Sequence, residues 1–259
     1  MPLSAYIVSH WKMDEAGGAN NAVDAVGTNT GVHAASPGSA AGKIATCRDL
    51  EASSSQHFTV ANNASMDVAG VTFGYTGWWN AESKAATMHM ACKRTGVLEH
   101  WLRYDSGSDR FQFRVYETPS GVSVTIEANA LGSPALATWY FICCWKDHVA
   151  QTINIQVNNG TVNSAAFTAA VTDGTSQFEI GAGAGAEFWD GLVDELTFWK
   201  GGFPTAAERT AIYNGGAGVD LATIQAMGAG GSTDWTSPHR TPDRVPYTGP
   251  TDRLRILRG

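Results

Sequence analysis

The chain has 259 residues and a net charge of −7, a length that holds one large β domain or two small ones. The negative balance excludes the basic footprint of a nucleic-acid binder. No apolar run approaches the ~20 residues that span a bilayer, which excludes a membrane-inserted helix.

Residues 1–10 lack the basic start and long apolar stretch of a secretory signal, and a strand is expected almost at once. Either the mature protein starts here, or it reaches the exterior without classical secretion, as a virion protein released by lysis does. Alternation of apolar and polar residues then predicts strands over residues 56–60 and 71–79. A hairpin follows, with arms at 101–104 and 110–116. In its second arm Phe111, Phe113 and Val115 share one face, while Gln112 and Arg114 share the other. Further strands are predicted at 139–145 and 152–157, the latter followed by an Asn159-Gly160 tight turn.

Residues 178–180 end in a Gly-rich turn, and 188–199 form a closing strand. That strand carries an acidic pair, Asp194-Glu195, which is costly inside an apolar strand unless something pairs with it. Neighbours on a strand face opposite ways, so the two acids are expected on opposite faces. A helix follows, with a Thr205-x-x-Glu208 capping box and a stop at Gly215-Gly216. Asp220 caps a short helix that ends at Gly228. A Gly-rich linker then leads to a tail with Pro238, Pro242, Pro246 and Pro250 and five arginines between Arg240 and Arg258. Two readings stand for this tail: a disordered segment, or an arm that orders against an acidic neighbouring subunit.

The 29 glycines suit many short strands and turns, and such spacing implies a sandwich or jelly roll. The nine tryptophans are either core or platforms for sugar rings. Cys47, Cys92, Cys143 and Cys144 show no C-x-x-C spacing, which argues against a zinc ribbon. They are expected to be reduced and packed as small apolar residues; a Cys47–Cys92 bridge stays open. At most one of Cys143 and Cys144 is expected to point into the core. The seven histidines are scattered and read as structural.

Two motifs carry a family resemblance. At the closing end stand Ile180-Gly181, Phe188-Trp189-Asp190-Gly191, Val193-Asp194-Glu195-Leu196, Phe198-Trp199, Glu208 and Ile212-Tyr213-Asn214-Gly215. At the opening stand His10-Trp11-Lys12-Met13-Asp14-Glu15 and Asp24-Ala25-Val26-Gly27-Thr28-Asn29-Thr30-Gly31. Over residues 5–218 the chain resembles laminin G-like domains of the concanavalin A-like lectin/glucanase superfamily. The resemblance implies an all-β, two-sheet antiparallel jelly roll over 1–218, with one short helix near the end. Residues 219–259 would then form a C-terminal extension of short helix, linker and arm.

In relatives, acids near the opening motif and closing strand can meet around a structural Ca²⁺, an ion that prefers several oxygen ligands. The corresponding metal candidates here are Asp14, Asp24, Asn29 and Asp194, although Ala25-Val26 and Thr28 stand where Ser and Asn are usual. The glucanases of this fold carry E-x-D-x-x-E or E-x-D-x-E on one strand, and neither motif is present. Sugar-binding candidates are Trp79, Trp101, Trp189 and Asp190. The expectation is a non-catalytic module on the exterior of a virus particle, a capsid decoration or tail-fibre protein. It would contact glycans or neighbouring subunits, form a homo-oligomer, and use its arm as the anchor. A bacterial carbohydrate-binding lectin is the alternative, and a glycoside hydrolase the third reading.

Overall fold

The structure is a computed structural model that describes residues 2–118 and 122–228, so the linker and arm expected at the C-terminus lie outside the described residues. In chain order the strands are β1 (Ile7–Trp11), β2 (Val32–Ala34), β3 (Gly38–Ala41), β4 (Thr46–Leu50) and β5 (His57–Val60). Next come β6 (Phe73–Ala81), β7 (Met88–Lys93), β8 (His100–Asp105), β9 (Arg110–Tyr116) and β10 (Ser123–Glu127). The last five are β11 (Trp139–Asp147), β12 (Thr152–Val157), β13 (Asn163–Ala166), β14 (Phe178–Ile180) and β15 (Gly191–Lys200). Two helices follow, α1 (Ala206–Tyr213) and α2 (Leu221–Ala226).

The strands form two antiparallel sheets. The eight-stranded sheet runs β13-β12-β11-β6-β15-β4-β3, with β1 also paired to β15; the seven-stranded sheet runs β10-β9-β8-β7-β14-β5-β2. This is the all-β jelly-roll sandwich that the alternation implied. Between the sheets lies a core that includes Trp11, Phe58, Phe73, Tyr75, Trp79, Phe113, Trp189, Leu196 and Phe198. Burying one such side chain contributes about 1.5–3 kcal/mol.

The eight-stranded sheet is apolar on its other face too. There Trp78, Phe141, Cys143, Trp145 and Trp199 pack beneath Leu3, Ile7, Ile212, Leu221, Ile224 and Met227. Strand β11 serves both cores by simple alternation: Cys144 points between the sheets and Cys143 into the second cluster. All four cysteines are buried free thiols. Helix α2 belongs to this covering layer, and the Leu3 amide donates to the Met227 carbonyl at 3.3 Å.

The expected caps are in place. Thr205 and Glu208 form the reciprocal capping box of α1, and the Asp220 side chain accepts from the Thr223 amide. The left-handed residue that ends α1 is Asn214, one position before the two glycines. Arg209 of α1 donates to Gln156 Oε1 at 2.6 Å and to the Pro204 carbonyl at 2.7 Å, and its guanidinium lies over the Trp145 ring.

The Asp194-Glu195 pair departs from the expected alternation. A bulge between Asp194 and Thr197 places Glu195 in the left-handed region, with φ of 51°. The result is that both acids serve the same face. Glu195 Oε2 lies 2.8 Å from His10 Nε2, and His10 Nδ1 lies 2.8 Å from Thr197 Oγ1. His10 pairs with Thr197 in the β1–β15 register, and Thr197 shares its face with Asp194 through Thr76 and Trp78 of β6. Asp194 Oδ2 accepts the Lys43 and Ile44 amides at 2.6 and 2.8 Å, which holds the turn between β3 and β4.

Burial, opposed by those amides and reinforced by Glu195, pushes the Asp194 carboxyl up to about 8. A carboxyl raised in the folded state binds a proton there that the unfolded chain has released. Its contribution to stability is therefore lost progressively as pH rises from 3.8 to about 8, then levels off. Asp194→Asn keeps an acceptor for the two amides and removes the titration. Denaturant unfolding at pH 6.5 and pH 8 is expected to show a smaller loss of stability in the variant than in the wild type; equal slopes would show that Asp194 titrates outside this window.

Candidate functional site

The covered outer face of the eight-stranded sheet contrasts with the outer face of the seven-stranded sheet, which is polar. Strands β7, β8, β9 and β10 present one cross-strand row of Cys92, Trp101, Arg114 and Thr125. A second row holds His89, Arg103, Gln112 and Glu127. Inward residues of the same strands, Leu102, Phe111, Phe113 and Val115, anchor this array to the core.

Trp101 is the centre of the array. The Arg103 guanidinium lies 4.3 Å and the Arg114 guanidinium 4.7 Å from its ring centroid, and His89 meets it edge-on at 5.5 Å. Arg103 donates to Gln112 Oε1 at 3.0 Å and to Asp105 Oδ1 at 2.6 Å. Gln112 in turn donates to Glu127 Oε1 at 2.8 Å. Arg114 donates to Thr125 Oγ1 at 2.6 Å and to the Tyr116 hydroxyl at 3.4 Å. Arg94 completes the group: it donates to His89 Nε2 at 2.9 Å and to Glu187 Oε2 at 3.0 Å.

Because Arg94 donates to Nε2, the His89 proton sits on Nδ1, 3.2 Å from Glu187 Oε2. Burial, reinforced by Arg94, Arg103 and Arg114, pushes the His89 imidazole down to about 3, so the ring is neutral. Burial pushes the Tyr116 phenol up, but hydrogen bonds from Arg114 and Trp101 outweigh it and bring it below its ordinary value. In both groups the arginines act with the sign of a positive local field, on a protein of net charge −7, although burial is the larger cause at His89. The turn between β14 and β15 closes one side, with the Ala184 and Gly185 amides donating to Glu179 at 2.6 and 3.2 Å.

The sugar-binding tryptophans expected from the sequence are corrected here. Trp79, Trp101 and Trp189 are 0%, 1% and 0% exposed, so none offers a ring to a sugar. Trp79 and Trp189 meet edge-to-face between the sheets, while Trp101 lies on the far side of the other sheet under its arginines. Asp190 is separate again: its Oδ1 accepts the Ala52 amide at 3.0 Å at an edge of the eight-stranded sheet.

Nor do the four metal candidates converge. Asp24 spends its carboxylate on four amides, those of His10, Val26, Gly27 and Asn29, at 2.9–3.1 Å. Asn29 donates to Ser9 and Ser65. Asp14 accepts from the Thr46 amide, and Asp194 holds the turn at Lys43. These are the roles of residues that tie loops to strands. Among the described residues, the acids whose oxygens gather within 4.8 Å of one another are instead Asp49, Glu51 and Glu82. Burial, with repulsion from Asp190, raises the Asp49 carboxyl, and burial, with repulsion from Asp49, Glu51 and Asp190, raises that of Glu82.

The fold has known relatives. A model of laminin G type, described as the concanavalin A-like lectin/glucanase superfamily, matches residues 52–207. The chain belongs to that superfamily. No curated protein matches it. Among solved structures it is similar to domain 4 of AbnA, a GH43 extracellular arabinanase from Geobacillus stearothermophilus, in complex with arabinotriose. That match has 14% identity and a TM-score of 0.61, and covers 80% of this chain and 97% of the domain. The binding domain of Paraclostridial Mosquitocidal Protein 1 matches at 12% identity and a TM-score of 0.63, over 82% of this chain and 52% of that one. The botulinum neurotoxin serotype D ligand-binding domain, in complex with N-acetylneuraminic acid, matches at 9% and 0.59, over 82% and 51%. The chain thus spans about half the length of the two toxin domains, and at these identities the shared property is the lectin-like fold.

Gly183 shows how tightly the array is closed, because a Cβ there would overlap the buried His89 ring. Gly183→Ala is expected to destabilise the protein by about 1–3 kcal/mol in denaturant unfolding, the usual range for overpacking. An unchanged midpoint would show that His89 has room to move.

Proposed function

We propose that this protein is a non-catalytic glycan-binding module whose ligand lies across the outer face of the seven-stranded sheet. The observation that carries this reading is the flat polar array of half-buried Arg103, Arg114, Thr125 and Glu127 around Gln112. It offers fixed donors and acceptors at sheet spacing, which is what a row of sugar hydroxyls requires. The saccharides named for two structures of this fold, arabinotriose and N-acetylneuraminic acid, support the ligand class. Catalysis is disfavoured by the acidic pair of β15, since Asp194 and Glu195 are buried and committed to amides and His10. Glycan-array binding of the wild type against Arg103→Ala and Glu127→Ala is the direct test. Each substitution is expected to weaken binding about tenfold or more, the worth of one hydrogen bond to a charged group; retention of full binding by both would move the site elsewhere.

We further propose that the module stands on the exterior of a virus particle, in contact with glycans or neighbouring subunits, with the Arg- and Pro-rich segment after Gly228 as its anchor, a role suggested by that segment's composition. The full chain is then expected to assemble in solution while a chain ending at Gly228 stays monomeric. Equal masses for the two in light scattering would remove the anchor role.

A further inference from the structure

We infer that the saccharide bound by this face is acidic, and that Arg114 is the residue that receives its anionic group. This inference rests on the glycan-binding reading and adds to it a ligand class and a specificity-determining residue.

The argument starts from where the counter-charges are. Arg94 is paired with Glu187 at 3.0 Å and Arg103 with Asp105 at 2.6 Å. Arg114 is held differently. Its hydrogen-bond partners are two hydroxyls, Thr125 Oγ1 and Tyr116 OH, and no carboxylate among the described residues lies within ion-pair distance of it. A half-buried guanidinium keeps five N–H donors in a planar fork. The Thr125 hydroxyl takes Nε and the Tyr116 hydroxyl takes Nη1, which leaves Nη2 without a partner among the described residues.

The hydroxyls fix the orientation of the group without neutralising it. The Trp101 ring beneath it, 4.7 Å from the guanidinium carbon, holds the plane by stacking and adds no counter-charge. The neighbouring groups are set to the same end. His89 is neutral and adds no competing charge, and the lowered Tyr116 phenol shows that a negative oxygen beside Arg114 is favoured.

A planar guanidinium with fixed orientation, an open edge and no acid partner is suited to a carboxylate, which it meets with two parallel hydrogen bonds. A sulfate ester presents the same anionic oxygens. The ligand class is therefore a saccharide bearing a carboxylate or sulfate, with its neutral hydroxyls on the half-buried Thr125 and Glu127. Long polyanions such as nucleic acid are disfavoured by the overall charge of −7, whereas one anionic group on a sugar is recognised at contact range.

The test is calorimetric titration of the full chain with 3′-sialyllactose, a galacturonate trimer, a sulfated lactose, lactose itself and arabinotriose. The expected result is that an acidic probe binds about tenfold or more tightly than its neutral counterpart. That preference should shrink between about 0.05 and about 0.5 M salt. Whether the sialylated, uronic or sulfated probe carries the effect names the source of the anion. Arg114→Met is expected to abolish the preference, with acidic binding falling to the level of neutral binding, which itself weakens because Arg114 orients Thr125. Arg114→Lys, which keeps the charge over Trp101, is expected to retain part of it. Equal binding of acidic and neutral probes by the wild type would overturn the inference and leave the glycan-binding reading standing. Preference preserved in a folded Arg114→Met would move the anion to another residue. Failure of every probe to bind would overturn both.

Discussion

The organisation of this protein depends on one asymmetry: the outer face of the eight-stranded sheet is covered by apolar residues of the helices and N-terminal segment, and that of the seven-stranded sheet by its own polar side chains. Between the sheets the apolar rows of β6, β9, β11 and β15 make the common core. On the far side of the larger sheet, Trp78, Trp145 and Trp199 would form an exposed aromatic patch if α1, α2 and the segment around Leu3 did not cover them. Their cover is apolar apart from two cations, Arg209 over Trp145 and Lys43 over Trp78. The consequence for function is direct. With that face occupied by the protein's own helices, the broad sheet surface left to meet a ligand is the outer face of the smaller sheet.

Buried polar groups are handled by the same logic of partnership. The acidic pair of β15 looked costly in an apolar strand. The bulge at Glu195 resolves it by turning the second acid towards His10, while Asp194 takes two amides of the β3–β4 turn. Asp24 does the equivalent work at the opening loop with four amides. The acids expected to meet at a metal are thus committed to loop anchoring, Asp14 and Asp194 to the turn between β3 and β4 and Asp24 to the opening loop.

Much of the architecture was legible from alternation and caps. Phe111, Phe113 and Val115 faced one way and Gln112 and Arg114 the other, and that pattern is the two-faced strand β9 of the structure. The Thr205 and Asp220 caps start the two helices where expected. The bulge was not legible, because strict period-two reasoning has no term for an extra residue. The array around Trp101 was half legible. Gln112 and Arg114 were visible as an outward pair, yet Arg94, Arg103 and His89 come from other strands, and only the β7–β8–β9 register brings them together. Tryptophan count misled for a related reason: a large ring signals burial more strongly than ligand contact, and Trp79, Trp101 and Trp189 are all enclosed.

The placement of Trp101 bears on why the array is polar at all. Covering an indole on a sheet face is done at least cost by aliphatic side chains, since guanidinium groups must be desolvated to lie there. This chain uses two arginines for the task and compensates only one of them with a carboxylate. A purely structural lid has no use for the uncompensated charge at Arg114. A contact-range anion does, because stacking on Trp101 and the bond to Thr125 prepay the orientation that an exposed arginine would have to lose on binding. The surrounding negative charge of the protein then works as a filter. It disfavours extended polyanions at long range and leaves recognition to a small ligand that carries its charge to within hydrogen-bonding distance of that one group.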